Sequence, residues 1–133
     1  VYDPVRAELL YKEGYTLLEG EYYPLSEEKF IAATDFKKKK SWFFKYAQGY
    51  REKRQYERAS QMYEWILFFF PKDKRGGLEY AEMKLYDEFK YSEAEEIVRL
   101  KVLDRFINDP DGMLLLGDIY LTFYFLLIFE KCS

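Results

Sequence analysis

The amino-acid sequence predicts an all-α protein, an α-solenoid of stacked antiparallel helix pairs with about three repeats and a terminal apolar helix. Three observations predict it. A block of apolar and small residues recurs at spacings of 33 and 35 residues, an apolar stripe precedes each copy, and prolines and glycines cluster between the copies. Self-similarity at this period is typical of helical units that bury their apolar faces by stacking.

The recurring block starts with an aromatic residue, has a small residue three positions on and a bulky apolar residue seven positions on. Its copies are Tyr23-x2-Ser26-x3-Phe30-x2-Ala33, then Tyr56-x2-Ala59-x3-Tyr63-x2-Ile66, then Tyr91-x2-Ala94-x3-Val98. Small side chains let two helix axes approach closely. We therefore expect close helix crossings at Gly14, Ser26, Ala33, Ala47 and Ala59.

A second stripe with its own small residue precedes each block. Its members are Leu10, Gly14 and Leu17, then Phe43, Ala47 and Tyr50, and a fourth copy opens with Met113, Leu116, Gly117 and Tyr120. The third copy is less regular, because Glu82 stands twelve residues before Ala94, where a small residue is expected. Ala81 beside it is the alternative, so the register of this helix stays open by one residue.

The paired pattern resembles the tetratricopeptide repeat family, whose repeat is a helix A, a short turn and a helix B, each with a small residue at the crossing. Pro71 and Pro110 stand where that family places its inter-repeat proline. The resemblance covers roughly residues 7–120. It implies a single domain over residues 1–133, with repeats near 7–39, 40–74 and 75–109 and a terminal helix over 110–129.

Apolar periodicity and turn signals together predict seven helices. Their predicted ranges are residues 4–19, 22–36, 40–54, 56–70, 76–89, 91–108 and 111–129.

Composition argues against catalysis and against nucleic-acid binding. The chain has no histidine and a single cysteine, Cys132, so imidazole chemistry, a thiolate metal site and an internal disulfide have no residues to build on. Net charge is −3, and the one basic run, Lys37 to Lys40, reads as a complement to a helix carboxyl end. We predict no enzyme activity, no cofactor, no metal and no nucleic-acid partner.

The predicted concave groove is formed by helix A positions one residue beyond the core stripe, about 100° around the helix. These positions are Tyr11, Tyr15 and Leu18, then Phe44, Gln48 and Arg51, then Glu79, Met83 and Tyr86. Aromatic and methionine side chains suit an apolar or amphipathic segment of a protein partner. The alternative is that these aromatic residues pack only against neighbouring repeats.

The last stretch of the chain is too apolar for one helix to bury on a single side of a small solenoid. Its predicted association surface comprises Leu114, Leu115, Ile119, Phe123, Phe125, Leu126 and Phe129. Another protein or a second copy, a missing repeat, or peripheral membrane contact would cover such a surface. Residues 113–129 fall short of the about 20 apolar residues of a membrane span and include Asp118, which argues against a span.

The expected function is that of a non-catalytic scaffold or adaptor, which binds a partner segment in its groove and contacts a larger assembly. The alternative is an accessory subunit of a membrane-associated envelope or organellar machine, anchored through the apolar helix. The first residue is Val1 rather than Met, so the chain is read as a fragment or a processed product. A cytoplasmic location and, after removal of a signal peptide, a periplasmic or extracytoplasmic one both stay open.

Overall fold

The computed structural model describes residues 4–132, and within this range the chain is helical without strands. The helices are α1 (Pro4–Glu19), α2 (Tyr23–Phe36), α3 (Lys40–Glu52), α4 (Tyr56–Phe69), α5 (Lys74–Glu82), α6 (Tyr91–Ile97) and α7 (Pro110–Cys132). A π-helical stretch continues α5 over Met83–Asp87, and another continues α6 over Val98–Leu103. The all-α prediction is confirmed.

Most helix limits lie within three residues of the predicted ones. The exception is α6, whose π-helical continuation ends at Leu103 rather than near 108. Asn108 adopts a positive φ of 59° just before α7, and Asp109 accepts a hydrogen bond from the Gly112 amide at 3.0 Å. Residues 104–109 therefore form a turn and a helix cap, which periodicity of apolar residues does not report.

The chain forms two compact units, residues 1–70 (unit 1) and residues 71–133 (unit 2). The boundary falls near the end of the second predicted repeat, just before Pro71. Each unit has its own buried core and is described by itself below.

In unit 1, contacts between α1 and α2 run in opposite directions along the two helices. The Ser26 hydroxyl donates to the Gly14 carbonyl at 2.7 Å, and the Arg6 guanidinium lies over the Phe36 ring at 5.6 Å. Contacts between α1 and α3 instead run in the same direction along the two helices, as Tyr11 stacks on Trp42 and Leu18 packs against Gly49. The core that results includes Ala7, Phe30, Ala33, Tyr46, Ala47, Ala59 and Ile66.

In unit 2, α5, α6 and α7 enclose a second core of Ala81, Leu85, Ala94, Val98, Leu115, Leu116 and Ile119. Gly77 of α5 leaves room for Val102, since a Cβ there would lie 2.7 Å from a Val102 methyl group. Ala81 is fully buried whereas Glu82 is partly exposed. Of the two candidates for the small residue of the third copy, Ala81 is therefore the buried one.

The small residues predicted at close crossings in the first two copies are buried, and those of α1 and α2 are in direct contact through Gly14 and Ser26. Gly14, Ser26, Ala33, Ala47 and Ala59 are all buried. Gly117, the small residue of the fourth copy, behaves differently, because it is exposed and an added Cβ would meet nothing within 4 Å. The fourth copy therefore lacks a close crossing at this position within the described residues.

The same backbone turn precedes three of the helices, α2, α4 and α6. Glu21, Arg54 and Phe89 each have a positive φ, of 68°, 60° and 58°, two positions before the aromatic residue that opens a recurring block. Backbone amides close these turns onto the preceding helix, as in Tyr22 to Leu17 at 2.9 Å and Gln55 to Tyr50 at 2.8 Å. Positive φ is uncommon for residues other than glycine. Its recurrence at these three positions follows the same spacing as the sequence block.

Candidate partner-binding surfaces

An aromatic ladder connects α1 with α3 in unit 1. The Tyr11 ring stacks on Trp42 with 4.8 Å between centroids and 11° between planes. Tyr46 lies below this pair, with centroids 5.6 Å from both Tyr11 and Tyr15. The Tyr46 hydroxyl donates to the Tyr11 backbone carbonyl at 2.8 Å, so a buried phenol fixes the spacing of the two helices.

Two lysines flank the exposed side of this ladder. The Lys45 ammonium lies 5.0 Å from the Tyr15 ring centroid, and that of Lys39 lies 5.7 Å from a Trp42 ring centroid. Both lysines are exposed, whereas Tyr11 and Tyr15 are half-buried. The α1–α3 face therefore offers aromatic edges beside positive charge.

Tyr11 and Tyr46 of this face stay neutral at ordinary pH. Burial raises the pKa of Tyr11, and the neighbouring Tyr15 and Glu8 raise it further. Burial also raises the pKa of Tyr46 far above its usual value. Their hydroxyls are thus suited to hydrogen bonding and not to chemistry that needs a phenolate.

Not all of the predicted groove residues face solvent. Leu18, Phe44 and Met83 lie in the interior, at 1 %, 3 % and 0 % exposure. Leu18 shows the physical reason: its side chain fills the space over Gly49, where an added Cβ would lie 3.0 Å from it. Helix α1 packs against both α2 and α3, so two of its faces are interior. A position about 100° around the helix from the face on α2 therefore lies on the face that packs against α3. The half-buried members are Tyr11, Tyr15, Gln48, Arg51 and Glu79, and Tyr86 is 50 % exposed.

A cleft of about 530 Å³ between α5 and α7 brings Glu79 and Tyr86 together in unit 2. Its lining comprises Lys74, Arg75, Leu78, Glu79, Glu82, Tyr86, Asp111, Leu114, Leu115 and Asp118. At one end, the Lys74 ammonium contacts Asp109 at 2.7 Å and Asp111 at 3.2 Å. At the other end, the Tyr86 hydroxyl donates to Asp118 at 3.1 Å. The sequence pattern did not reveal this cleft, because its α7 side was read as part of an apolar association surface.

The predicted apolar surface of α7 divides into a buried part and an exposed part. Leu115 and Ile119 belong to the core of unit 2, at 5 % and 1 % exposure. The exposed members are Leu114, Phe123, Phe125, Leu126 and Phe129. Within residues 121–129 the prediction omitted four further large side chains that are also exposed, namely Leu121, Tyr124, Leu127 and Ile128. The segment 121–129, here called the apolar tip, is thus uncovered in the isolated chain apart from the partly buried Thr122.

A polar cluster marks where α7 leaves the core. The Tyr120 hydroxyl donates to Glu95 at 2.8 Å, Arg99 donates to the same carboxylate at 3.0 Å, and Arg99 also contacts the Tyr120 hydroxyl. Hydrogen bonds from Tyr120 and Arg99 lower the pKa of Glu95. These contacts tie α7 to α6 at Tyr120, and the Phe123 ring, at the start of the apolar tip, lies 6.4 Å from the Tyr91 ring of α6.

Helix α7 is long and apolar enough to cross a membrane, judged by length and composition alone. The sequence predicted an apolar stretch over residues 113–129, which is too short for a membrane span, whereas the helix runs over 23 residues. Only 22 % of its most apolar window is buried, unlike the core helix of a soluble protein.

No group of three or more His, Cys, Asp or Glu side chains among residues 4–132 is arranged to hold a metal ion. No model of a known protein family and no curated protein matches this chain.

Proposed function

We propose that this protein is a non-catalytic interaction scaffold of tetratricopeptide-like helix pairs, whose A-helix faces bind a segment of a protein partner. The observation that carries the proposal is the repeated turn at Glu21, Arg54 and Phe89, which recurs at the same spacing as the sequence block. A conformational repeat of this kind is typical of proteins that present extended binding faces.

The pattern of contacts within each unit supports the repeat interpretation. In unit 1, α1 and α2 cross at Gly14 and Ser26, while α3 lies beside α1 through Tyr46. In unit 2, α5 and α6 cross at Gly77 and Val102, while α7 lies beside α5 through Tyr86 and Asp118. Helices α1 and α3 correspond to helices α5 and α7, so both units present an A-helix face.

Those two faces carry the side chains that suit a protein ligand. The unit 1 face has half-buried Tyr11 and Tyr15, and the unit 2 face has Tyr86 beside exposed Leu114. Tyrosine offers a large contact area with few rotatable bonds and a polar end, which is why it is enriched in binding surfaces.

Affinity purification with mass spectrometry, repeated with Tyr15→Ala, tests this proposal. Tyr15 is half-buried and its ring lies on the α1–α3 face, so the variant should fold and lose the partner that the wild type retains. The matched control is Tyr22→Ala, which removes an exposed tyrosine from the turn between α1 and α2. A partner retained equally by both variants and by the wild type would refute binding on this face.

A second candidate function, attachment to a membrane through α7, is favoured by the exposed apolar tip. Residues 121–131 would reach about 16 Å at 1.5 Å per residue, roughly half of a hydrocarbon core of about 30 Å. Spanning the bilayer would require Leu115, Leu116 and Ile119 to leave the core of unit 2. The geometry thus favours peripheral insertion by an accessory subunit over a full crossing.

Vesicle flotation distinguishes the two candidates. The second candidate predicts that the wild-type chain floats with phosphatidylcholine vesicles and that Phe125→Ser with Phe129→Ser does not. Both side chains are exposed, at 65 % and 76 %, so the substitutions leave the core intact. A wild-type chain that stays entirely in the soluble fraction would exclude membrane attachment through this helix.

A further inference from the structure

We propose that the cleft between α5 and α7 binds a basic, amphipathic helix of a protein partner, with a Lys or Arg of that helix against Asp118 and its apolar side against Leu78 and Leu114. This inference rests on the proposed scaffold function and names the chemistry of the partner for one of the two faces.

The apolar part of the cleft is open to a ligand. Leu114 is 69 % exposed and Tyr86 is 50 % exposed, and both line the cleft together with half-buried Leu78. The cleft volume of about 530 Å³ lies within the usual range for ligand sites, about 300–1,000 Å³. Covering these side chains would remove apolar surface from water at about 25 cal/mol per Å².

The charge of the cleft selects a basic partner. Four carboxylates and two cations line it, which gives a net charge of −2. Both cations already contact carboxylates, Lys74 with Asp109 and Asp111, and Arg75 with Glu79 at 2.5 Å. An acidic segment or a nucleic acid would therefore meet repulsion, and a basic segment would meet attraction.

Asp118 is the carboxylate best placed to bind a cation from the partner. Its side chain accepts from the Tyr86 hydroxyl, which is a neutral donor and leaves the negative charge in place. Burial, this hydrogen bond and the charge of Asp118 together raise the pKa of Tyr86. Asp118 is half-exposed and lines the cleft with Leu78 and Leu114, so a cation could reach it while the apolar side of the same segment covers these two leucines.

The dimensions of the cleft suit a helix of about three turns. The contacts at its two ends, Lys74 with Asp111 and Tyr86 with Asp118, are twelve residues apart along α5 and its π-helical continuation. Twelve residues correspond to about 18 Å of helix. A groove between two helices commonly holds the apolar face of a third, with anchor side chains at positions i, i+3, i+4 and i+7.

Fluorescence anisotropy with two model peptides of the same helical pattern tests the inference on the full chain. One peptide combines leucine with lysine and the other combines leucine with glutamate. The lysine peptide should bind at least tenfold more tightly than the glutamate peptide. Asp118→Asn should weaken it about twofold to fivefold, as expected for one exposed charge pair. Asp104→Asn, the same change at an exposed residue outside the cleft, should have no effect.

A second pair of variants shows where the peptide binds. Leu114→Ser should weaken the lysine peptide, and Phe125→Ser on the apolar tip should not. Both residues are exposed, so circular dichroism should show folded protein in each case. Equal binding of the two peptides, equal effects of Asp118→Asn and Asp104→Asn, or a loss at Phe125→Ser alone would each overturn the proposal. Such a result would leave the Tyr15 test of the scaffold function unaffected, since Tyr15 lies in unit 1.

Discussion

Gly14 and Gly117 have very different surroundings, because only Gly14 lies where two helices approach closely. A Cβ at Gly14 would collide with the Tyr46 hydroxyl and lie 3.2 Å from the Ser26 carbonyl oxygen. A Cβ at Gly117 would meet nothing within 4 Å. Both glycines are inside helices, where alanine is otherwise preferred.

We therefore predict opposite effects for the two glycine-to-alanine substitutions. Gly14→Ala should lower the free energy of unfolding by about 1–3 kcal/mol, because the crowding outweighs the helix preference of alanine. Gly117→Ala should raise it by about 0.5–1 kcal/mol. Chemical denaturation followed by circular dichroism measures both. A stabilised Gly14→Ala variant would contradict the close crossing of α1 and α2.

The buried hydroxyl of Tyr46 leads to a prediction on alkaline stability. Because burial raises the pKa of Tyr46 above its usual value of about 10, the folded state holds the proton more tightly than the unfolded state. Stability from this difference is present below pH 10 and is lost as pH rises above it. Tyr46→Phe should lose less stability above pH 10 than the wild type. At neutral pH it should be less stable by about 1 kcal/mol, because the bond to the Tyr11 carbonyl is missing.

The control for this titration is Tyr22→Phe, which changes an exposed tyrosine. Unfolding curves at pH 8 and pH 11 should show the wild type and this control falling in parallel. Parallel behaviour of Tyr46→Phe and the wild type would contradict the assignment to Tyr46.

At the scale of elements, the start of α7 is held to α5 by the ion pairs of Lys74 with Asp109 and Asp111. Asp109 accepts from the Gly112 amide at the beginning of the helix and from the Lys74 ammonium at 2.7 Å. Lys74 and this amide lower the pKa of Asp109, and Asp109 raises the pKa of Lys74. The same carboxylate thus caps α7 and fixes it to its neighbour.

This arrangement predicts a loss of stability in acid. A carboxyl group whose pKa is lowered by folding contributes stability above its unfolded pKa of about 4, and that contribution disappears as pH falls through its folded pKa. Unit 2 should therefore lose stability between neutral pH and acid below pH 4. Lys74→Met should reduce this dependence, whereas Lys72→Met, at an exposed lysine, should not. Hydrogen exchange at amides of α7, measured at pH 7 and at pH 3, reports the change.

The sequence predicted the elements well and the faces of the elements less well. Ser26, Ala33 and Ala59 are buried as expected, because small residues at a fixed period report helix crossings directly. The burial of Leu18 was missed, because an apolar residue on a helix with two neighbours belongs to either of two interior faces. The turns at Arg54 and Phe89 were missed as well, since no glycine or asparagine marks their positive φ.

For the molecule as a whole, the apolar tip of α7 is the feature that the chain cannot bury by itself. Nearly every residue of this segment has a large exposed side chain, and Phe125 and Phe129 are 65 % and 76 % exposed. We predict that the wild-type chain forms a dimer or larger species, or binds detergent, because several large apolar groups in water are costly. Light scattering should show a monomer for the triple variant Phe125→Ser, Leu126→Ser, Phe129→Ser. A clean wild-type monomer at high concentration would contradict this prediction.

The central claim is that the A-helix faces of the two units are where a protein partner binds. Site-specific photo-crosslinking in the native cell tests it most directly, with a benzophenone amino acid replacing Tyr15 or Tyr86 on these faces, or Tyr22 as the control. The account predicts crosslinked products of defined mass from Tyr15 and Tyr86 that are absent from Tyr22. Equal crosslinking at all three positions, or products from Tyr22 alone, would contradict it.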